Sequence, residues 1–134
     1  MTLSAADGNA ILNENFAPWV RELGLVVEET GDLMAVLRLP WSTRLARQGG
    51  AMCGQALMAA ADTATVIAVS AARGEFVPMT TVQQSSTFQR PVVDADVLVT
   101  ATLTKVGRTL AFAEVAMTAG GNVAAHATTV YALL

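Results

Sequence analysis

Little in this sequence invites metal chemistry. It has one cysteine, Cys53, and one histidine, His126. A single cysteine closes no internal disulfide, which fits a reducing cytoplasm. One cysteine with one histidine rules out the usual zinc clusters, and neither a metal nor a cofactor is expected. Charged residues are also scarce, at 14%, against about 25% in ordinary soluble domains. Lys and Arg form no run and the net charge is −3, which argues against nucleic acid or an anionic membrane as the main partner. The opening "MTLSAADGNAILNENF" has no basic region leading into an apolar run. No signal peptide is therefore expected, and the expected location is cytoplasmic.

What is abundant is apolar surface: 53% of 134 residues are hydrophobic. That length suits one domain with one core. A domain so small cannot hide so much apolar surface alone, so a large subunit interface is expected, in a homodimer or homotetramer. Residues 55–72 approach the length of a membrane span. They are dominated by Ala and Thr and contain Asp62, so a core helix is the better reading and no membrane partner is expected.

Along the chain, "LNENFAPWVRELGL" reads as a short helix with Asn13 or Asn15 as cap, Pro18 in a first turn and Gly24 at the end. "LVVEE" and "DLMAVLRLP" read as two strands joined at Thr30-Gly31. "WSTRLARQGGAM" is irregular. A long helix runs from about Gly54 to Ala72 and is closed by Gly74. Four strand-like runs follow: "MTTVQQSSTFQRP", "ADVLVTATLT", "TLAFAEVAMT" and "NVAAHATTVYALL". Turn residues separate them at Pro91 to Asp94, Lys105 to Arg108 and Ala119 to Asn122. In the second run Val97, Val99, Ala101 and Leu103 share one face, and Leu98, Thr100, Thr102 and Thr104 the other. This order is α+β. A helix apolar on almost every side is one that is wrapped, so an antiparallel sheet curled around it is expected. "VQQSST" resists the pattern, with Gln84 and Ser86 where apolar residues belong; water or another subunit is expected against it.

The long helix also carries the chemistry. Gly54 stands at its N-terminus, where backbone N–H groups lack partners and the dipole favours negative charge. A glycine there lets a carbonyl approach, as in an oxyanion hole, although the residue alone better fits a plain N-terminal turn. Asp62 is costly to bury without a partner. It suits a general base for water or a nucleophile on an acyl carbon; the bland alternative is a carboxylate bonded to a nearby hydroxyl, Thr65 or Thr81. Gly54 and Asp62 are eight residues apart, ~12 Å along a helix. Reacting groups must lie within ~3 Å of the carbonyl carbon. One helix cannot supply both, but two helices antiparallel across a dimer can.

"CGQALMAAADTA", "TTVQQSSTFQRP", "GRTLAFAEVAM" and "VAAHATTVYAL", in this order and spacing, resemble the PaaI-like acyl-CoA thioesterases of the hotdog superfamily. The resemblance runs from about Leu23 to Leu134. It implies a single hotdog thioesterase domain over residues 1–134, with residues 1–22 as an N-terminal helical segment. It also implies an antiparallel sheet around a central helix, and hydrolysis of acyl-CoA thioesters at a dimer interface. By resemblance, Asp62 takes the catalytic carboxylate and Gly54 the N–H that polarises the thioester carbonyl. Thr81 takes the Ser/Thr that positions the water or carboxylate. Cys53, Gly54 and Gln55 stand on the family's His-Gly-Gly triplet, and Arg47 stands where many members have Asn. Two departures follow: the histidine is replaced by Cys53 and the Asn by Arg47. "RQGGAMCGQ" is closer to an alternative family pattern with Arg, a Gly-Gly pair and Ser-Gly-Pro. "QGG" at Gln48–Gly50 is a false register, because Asp62 lies twelve residues past Gly50; Gly49 and Gly50 read as turn glycines.

Other chemistry fits less well. Cys53 at a helix N-terminus suits a thiol nucleophile, but no histidine is near it in sequence, and His126 reads as a structural strand residue. Hotdog dehydratases need a histidine on or before this helix, and none is present. Arg44, Arg47, Arg90, Lys105 and Arg108 are candidates for CoA phosphates. A non-catalytic acyl-CoA-binding hotdog domain, which keeps the pocket without turnover, is the alternative function.

Overall fold

The chain, seen as a computed structural model that describes residues 3–134, begins with a capped helix, α1, over Ala5–Asn15. The Ser4 hydroxyl accepts from the Asp7 N–H at 3.1 Å, and the Asp7 carboxylate accepts from the Ser4 N–H at 3.0 Å. This reciprocal box satisfies two donors that a helix end would otherwise leave open. It also holds the exposed Asp7 carboxyl below its ordinary range. The helix thus starts at Ala5 rather than Leu12, and neither Asn13 nor Asn15 is its cap. It breaks before Pro18, which opens a separate helix, α2, Pro18–Arg21.

β1 (Val26–Gly31) and β2 (Met34–Leu39) form an antiparallel pair. Gly31 stays in the ladder opposite Met34, so the turn falls at Asp32-Leu33 and not at Thr30-Gly31. After a 3₁₀ turn at Thr43–Leu45 comes α3, Gly54–Arg73. Gly74 ends it in the left-handed region, at φ 82°, where glycine meets no steric penalty. Then follow β3 (Met79–Phe88), β4 (Val97–Val106), β5 (Leu110–Ala119) and β6 (Asn122–Leu133). Gly120 and Gly121, at φ 58° and 81°, make the two-residue turn between β5 and β6, where both positions demand positive φ.

The six strands form one antiparallel sheet in the order β1-β2-β4-β5-β6-β3. β4 alternates as its sequence predicts, with Val97, Val99, Ala101 and Leu103 buried. The sheet wraps the second half of α3, where every residue from Thr63 to Ala71 is buried. α3 is long and apolar enough to cross a bilayer, yet 72% of its most apolar window is buried inside the fold. Its first half differs. Gln55, Met58, Ala59 and Asp62 are left open; at spacings of three and four they form one stripe.

β3 is a sheet edge, and a bulge at Val82 sets its phase. Thr81 pairs with Tyr131, but Gln83 pairs with Val130 and Gln84 with Thr129. One residue is left out of the count, so Thr81, Gln84 and Ser86 share the face that looks toward α3. Gln84 is engaged there, its Nε2 donating to the Met58 carbonyl at 3.1 Å and to the Ser86 hydroxyl at 3.2 Å. This accounts for the polar residues that break the apolar pattern.

Candidate active site

Asp62 sits where the wrapped half of α3 gives way to its open half. Thr81 Oγ1 donates to Asp62 Oδ1 at 2.9 Å. The Tyr131 hydroxyl donates to the same oxygen and to the Asp62 backbone carbonyl, the latter at 3.1 Å. Thr81 and Tyr131 are direct partners in the β3–β6 ladder, so one cross-strand pair presents both donors. Asp62 is therefore held through the hydroxyl expected at Thr81. Thr65 is occupied elsewhere, its hydroxyl bonded to the Ala61 carbonyl at 3.0 Å and to Thr129 Oγ1 at 2.9 Å. Oδ2 of Asp62 accepts no hydrogen bond from the described residues. Asp62 itself is half-buried.

Tyr131 was missed in the sequence, where it reads as one more apolar position in "VYALL". It is buried, at 3% exposure. Burial first, then the Asp62 charge and the hydrogen bond to it, hold the phenol protonated well above the ordinary tyrosine range. Only the register of β3 on β6 reveals its place, because Asp62 and Tyr131 are 69 residues apart.

Gly54 opens α3. The N-cap residue, Cys53, contributes no side-chain hydrogen bond, so the first-turn N–H groups stay available at the positive end of the helix. A Cβ on Gly54 would stand 3.3 Å from Cζ of Phe88. Gly54 lines a cavity of about 410 Å³ with Arg47, Met52, Phe88, Arg90 and Val92. The loop beside it is built as expected: Gly49 and Gly50 have φ of 99° and 87°. Arg47 Nη1 donates to the Gln48 carbonyl at 2.8 Å.

Asp62 lines a different cavity, of about 420 Å³, with Phe16, Trp19, Gln55, Met58 and Gln84. Gln55 also borders a third, which holds Cys53 and Arg44. One chain thus brings Arg47 to Gly54, Gln55 to Asp62 and Thr81 to Asp62, while Gly54 and Asp62 front separate cavities. His126 is remote in role: its Nε2 lies 3.9 Å from a Glu114 carboxylate oxygen, with both side chains well exposed. Lys105 belongs to β4 and Arg108 to the β4–β5 connection, and they line neither the Gly54 nor the Asp62 cavity.

Known proteins share this fold. The thioesterase superfamily profile matches residues 49–126, which span the α3 N-terminus, Asp62 and most of the sheet. Among curated protein sequences none matches. Among solved structures, a conserved protein of Pseudomonas aeruginosa is 27% identical, with TM-score 0.83 over 89% of this chain and 95% of that one. A variant of the phenylacetic acid degradation protein PaaI from Thermus thermophilus is 25% identical, with TM-score 0.79 over 88% and 100%. The E. coli PaaI protein of the phenylacetic acid degradation operon shares the fold at 17% identity, with TM-score 0.86 over 99% and 96%. By profile, by sheet order around one central helix and by these likenesses, the chain belongs to the thioesterase superfamily as a PaaI-like hotdog protein.

Proposed function

We propose that the protein hydrolyses acyl-CoA thioesters at sites shared between two subunits. Membership of the superfamily supports thioester hydrolysis as the reaction class. The observation that carries the finer reading is Asp62, a half-buried carboxylate held at Oδ1 by Thr81 and Tyr131 and open at Oδ2. Oδ2 takes a proton from water, and the resulting hydroxide adds to the thioester carbonyl carbon. The oxyanion is met by the Gly54 N–H of the other subunit. Collapse breaks the C–S bond, CoA leaves as a thiolate, for which no strong general acid is needed, and the proton held on Oδ2 passes to solvent to restore the carboxylate. Arg47 and Arg90, beside Gly54, suit the phosphates of CoA. Cys53 and Gln55 border the acyl side, next to the open stripe of α3.

The shared site follows from distance. The two groups are eight residues apart on one helix and line separate cavities. An edge strand with exposed Val82 and Phe88, and an open stripe on α3, give a second copy a place to dock.

A panel of acyl-CoAs assayed for released thiol tests this. Asp62→Asn is expected to lose roughly 10²- to 10⁴-fold in kcat. Binding of acyl-CoA with no hydrolysis above background identifies the non-catalytic binding domain instead. An Asp62→Asn protein as fast as the parent removes Asp62 from the mechanism.

A further inference from the structure

The carboxylate has two donors, and only one of them, Thr81, was expected from the sequence. We propose that Tyr131 is a positioning residue for this hydrolysis: with Thr81 it pins Asp62 through Oδ1, so that Oδ2 alone is presented to the reacting water. This rests on the Asp62 reading and adds to it the group that selects which carboxylate oxygen reacts.

Three observations carry it. First, both donors converge on one oxygen: Thr81 at 2.9 Å, and the Tyr131 hydroxyl on the same atom. A carboxylate with one oxygen doubly held has lost the freedom to rotate its oxygens past each other. Second, the Tyr131 hydroxyl also donates to the Asp62 backbone carbonyl at 3.1 Å. It thereby holds the side chain and the helical turn that carries it as one unit. Third, the surroundings are arranged for a donor that never changes state. The phenol is buried, and the other residues lining the cavity in front of Asp62 are uncharged, Phe16, Trp19, Gln55, Met58 and Gln84 among them. Among the described residues, Tyr131 is the one titratable group in contact with Asp62. Its phenol stays protonated well above its ordinary range.

Thr81 and Tyr131 do different work. The Thr81 hydroxyl stands on an exposed edge strand. Tyr131 comes from β6, which has a neighbour on each side, with its ring packed inside. The rigid donor is the tyrosine, and it sets the geometry that Thr81 completes.

The test compares parent, Tyr131→Phe and Asp62→Asn on the best acyl-CoA of the panel. Tyr131→Phe is expected to lower kcat on the order of tenfold or more, the effect of one hydrogen bond to a charged group, with KM within about twofold. The chain has one tyrosine, so biosynthetic replacement by 3-fluorotyrosine alters this position alone. It keeps the O–H as a donor, and is expected to retain kcat. Should Tyr131→Phe fail to fold by circular dichroism, the fluorinated protein carries the test, and a fluorine resonance that Asp62→Asn leaves unmoved overturns the proposal. A folded Tyr131→Phe with parental kcat and KM, beside an inactive Asp62→Asn, overturns the role of Tyr131 alone. A parent that hydrolyses no acyl-CoA, or an Asp62→Asn protein that still does, overturns the Asp62 reading and this proposal with it.

Discussion

At Gly54 the proposed site depends on an atom that is missing. The helical backbone there would accept alanine, and alanine is the better helix former by about 1 kcal/mol in a helix interior. The obstacle is outside the helix, where a Cβ would meet the Phe88 ring at 3.3 Å. The ring end must yield by a few tenths of an ångström, and the new methyl narrows the approach to the first-turn N–H groups. Gly54→Ala is therefore expected to keep the parent melting temperature within a few degrees while kcat/KM falls on the order of tenfold. Thermal unfolding and the thiol-release assay on one preparation separate the two effects. A variant with undiminished kcat/KM would show that nothing needs close access to that backbone. Cys53, directly before it, is half-buried and caps nothing through its side chain.

Among the elements, α3 and β6 make the joint on which the site rests. Thr65 and Thr129 are buried at 0% and 1% exposure, and their hydroxyls meet at 2.9 Å. The pair is asymmetric. Thr65 has a second partner in the Ala61 carbonyl, whereas Thr65 is the one side-chain partner of the Thr129 hydroxyl. Thr65→Val leaves Thr129 unsatisfied and is expected to cost about 1–3 kcal/mol. Thr129→Val leaves Thr65 bonded to Ala61 and is expected to cost less. Urea unfolding ranks the two, and the opposite order would refute the assignment of partners. Legibility in the sequence divides along the same elements. α3 was readable nearly to the residue, because glycines mark both of its ends. β4 was readable because its alternation is regular. The Gly54–Asp62 spacing was readable because helix rise is fixed. β3 was not, because the bulge at Val82 drops one residue from the count and carries Gln84 and Ser86 onto the inner face. The start of α1 was not read either, its cap lying in Ser4 and Asp7 rather than in the asparagines. Tyr131 was hidden because its partner is set by strand register, which no local pattern encodes.

At the scale of the whole molecule, a single chain holds the pieces of a site without assembling one. The stripe of Gln55, Met58, Ala59 and Asp62 lies uncovered on α3, with Met58 43% exposed. If a second copy seats there, Met58→Glu places a charge in the joint. The variant is expected to run as a monomer by light scattering and to lose nearly all turnover, although each chain keeps Gly54, Thr81 and Asp62 intact. Burying one unpaired carboxylate opposes association by several kcal/mol, enough to separate an interface of ordinary affinity. A monomer that hydrolyses thioesters at the parental rate would end the two-subunit reading.

The joint between Asp62 and Tyr131 also sets a timetable. A ribosome delivers Asp62 sixty-nine residues before its phenol. At ordinary rates of synthesis that interval is roughly 3 to 14 s. Through all of it the nascent helix carries a carboxylate with no tyrosine to hold it, and β3 waits without β6. The pocket around Asp62 is therefore among the last parts of this fold that translation makes possible, and an interruption before residue 131 leaves most of the sheet's sequence synthesised and Asp62 without its buried donor.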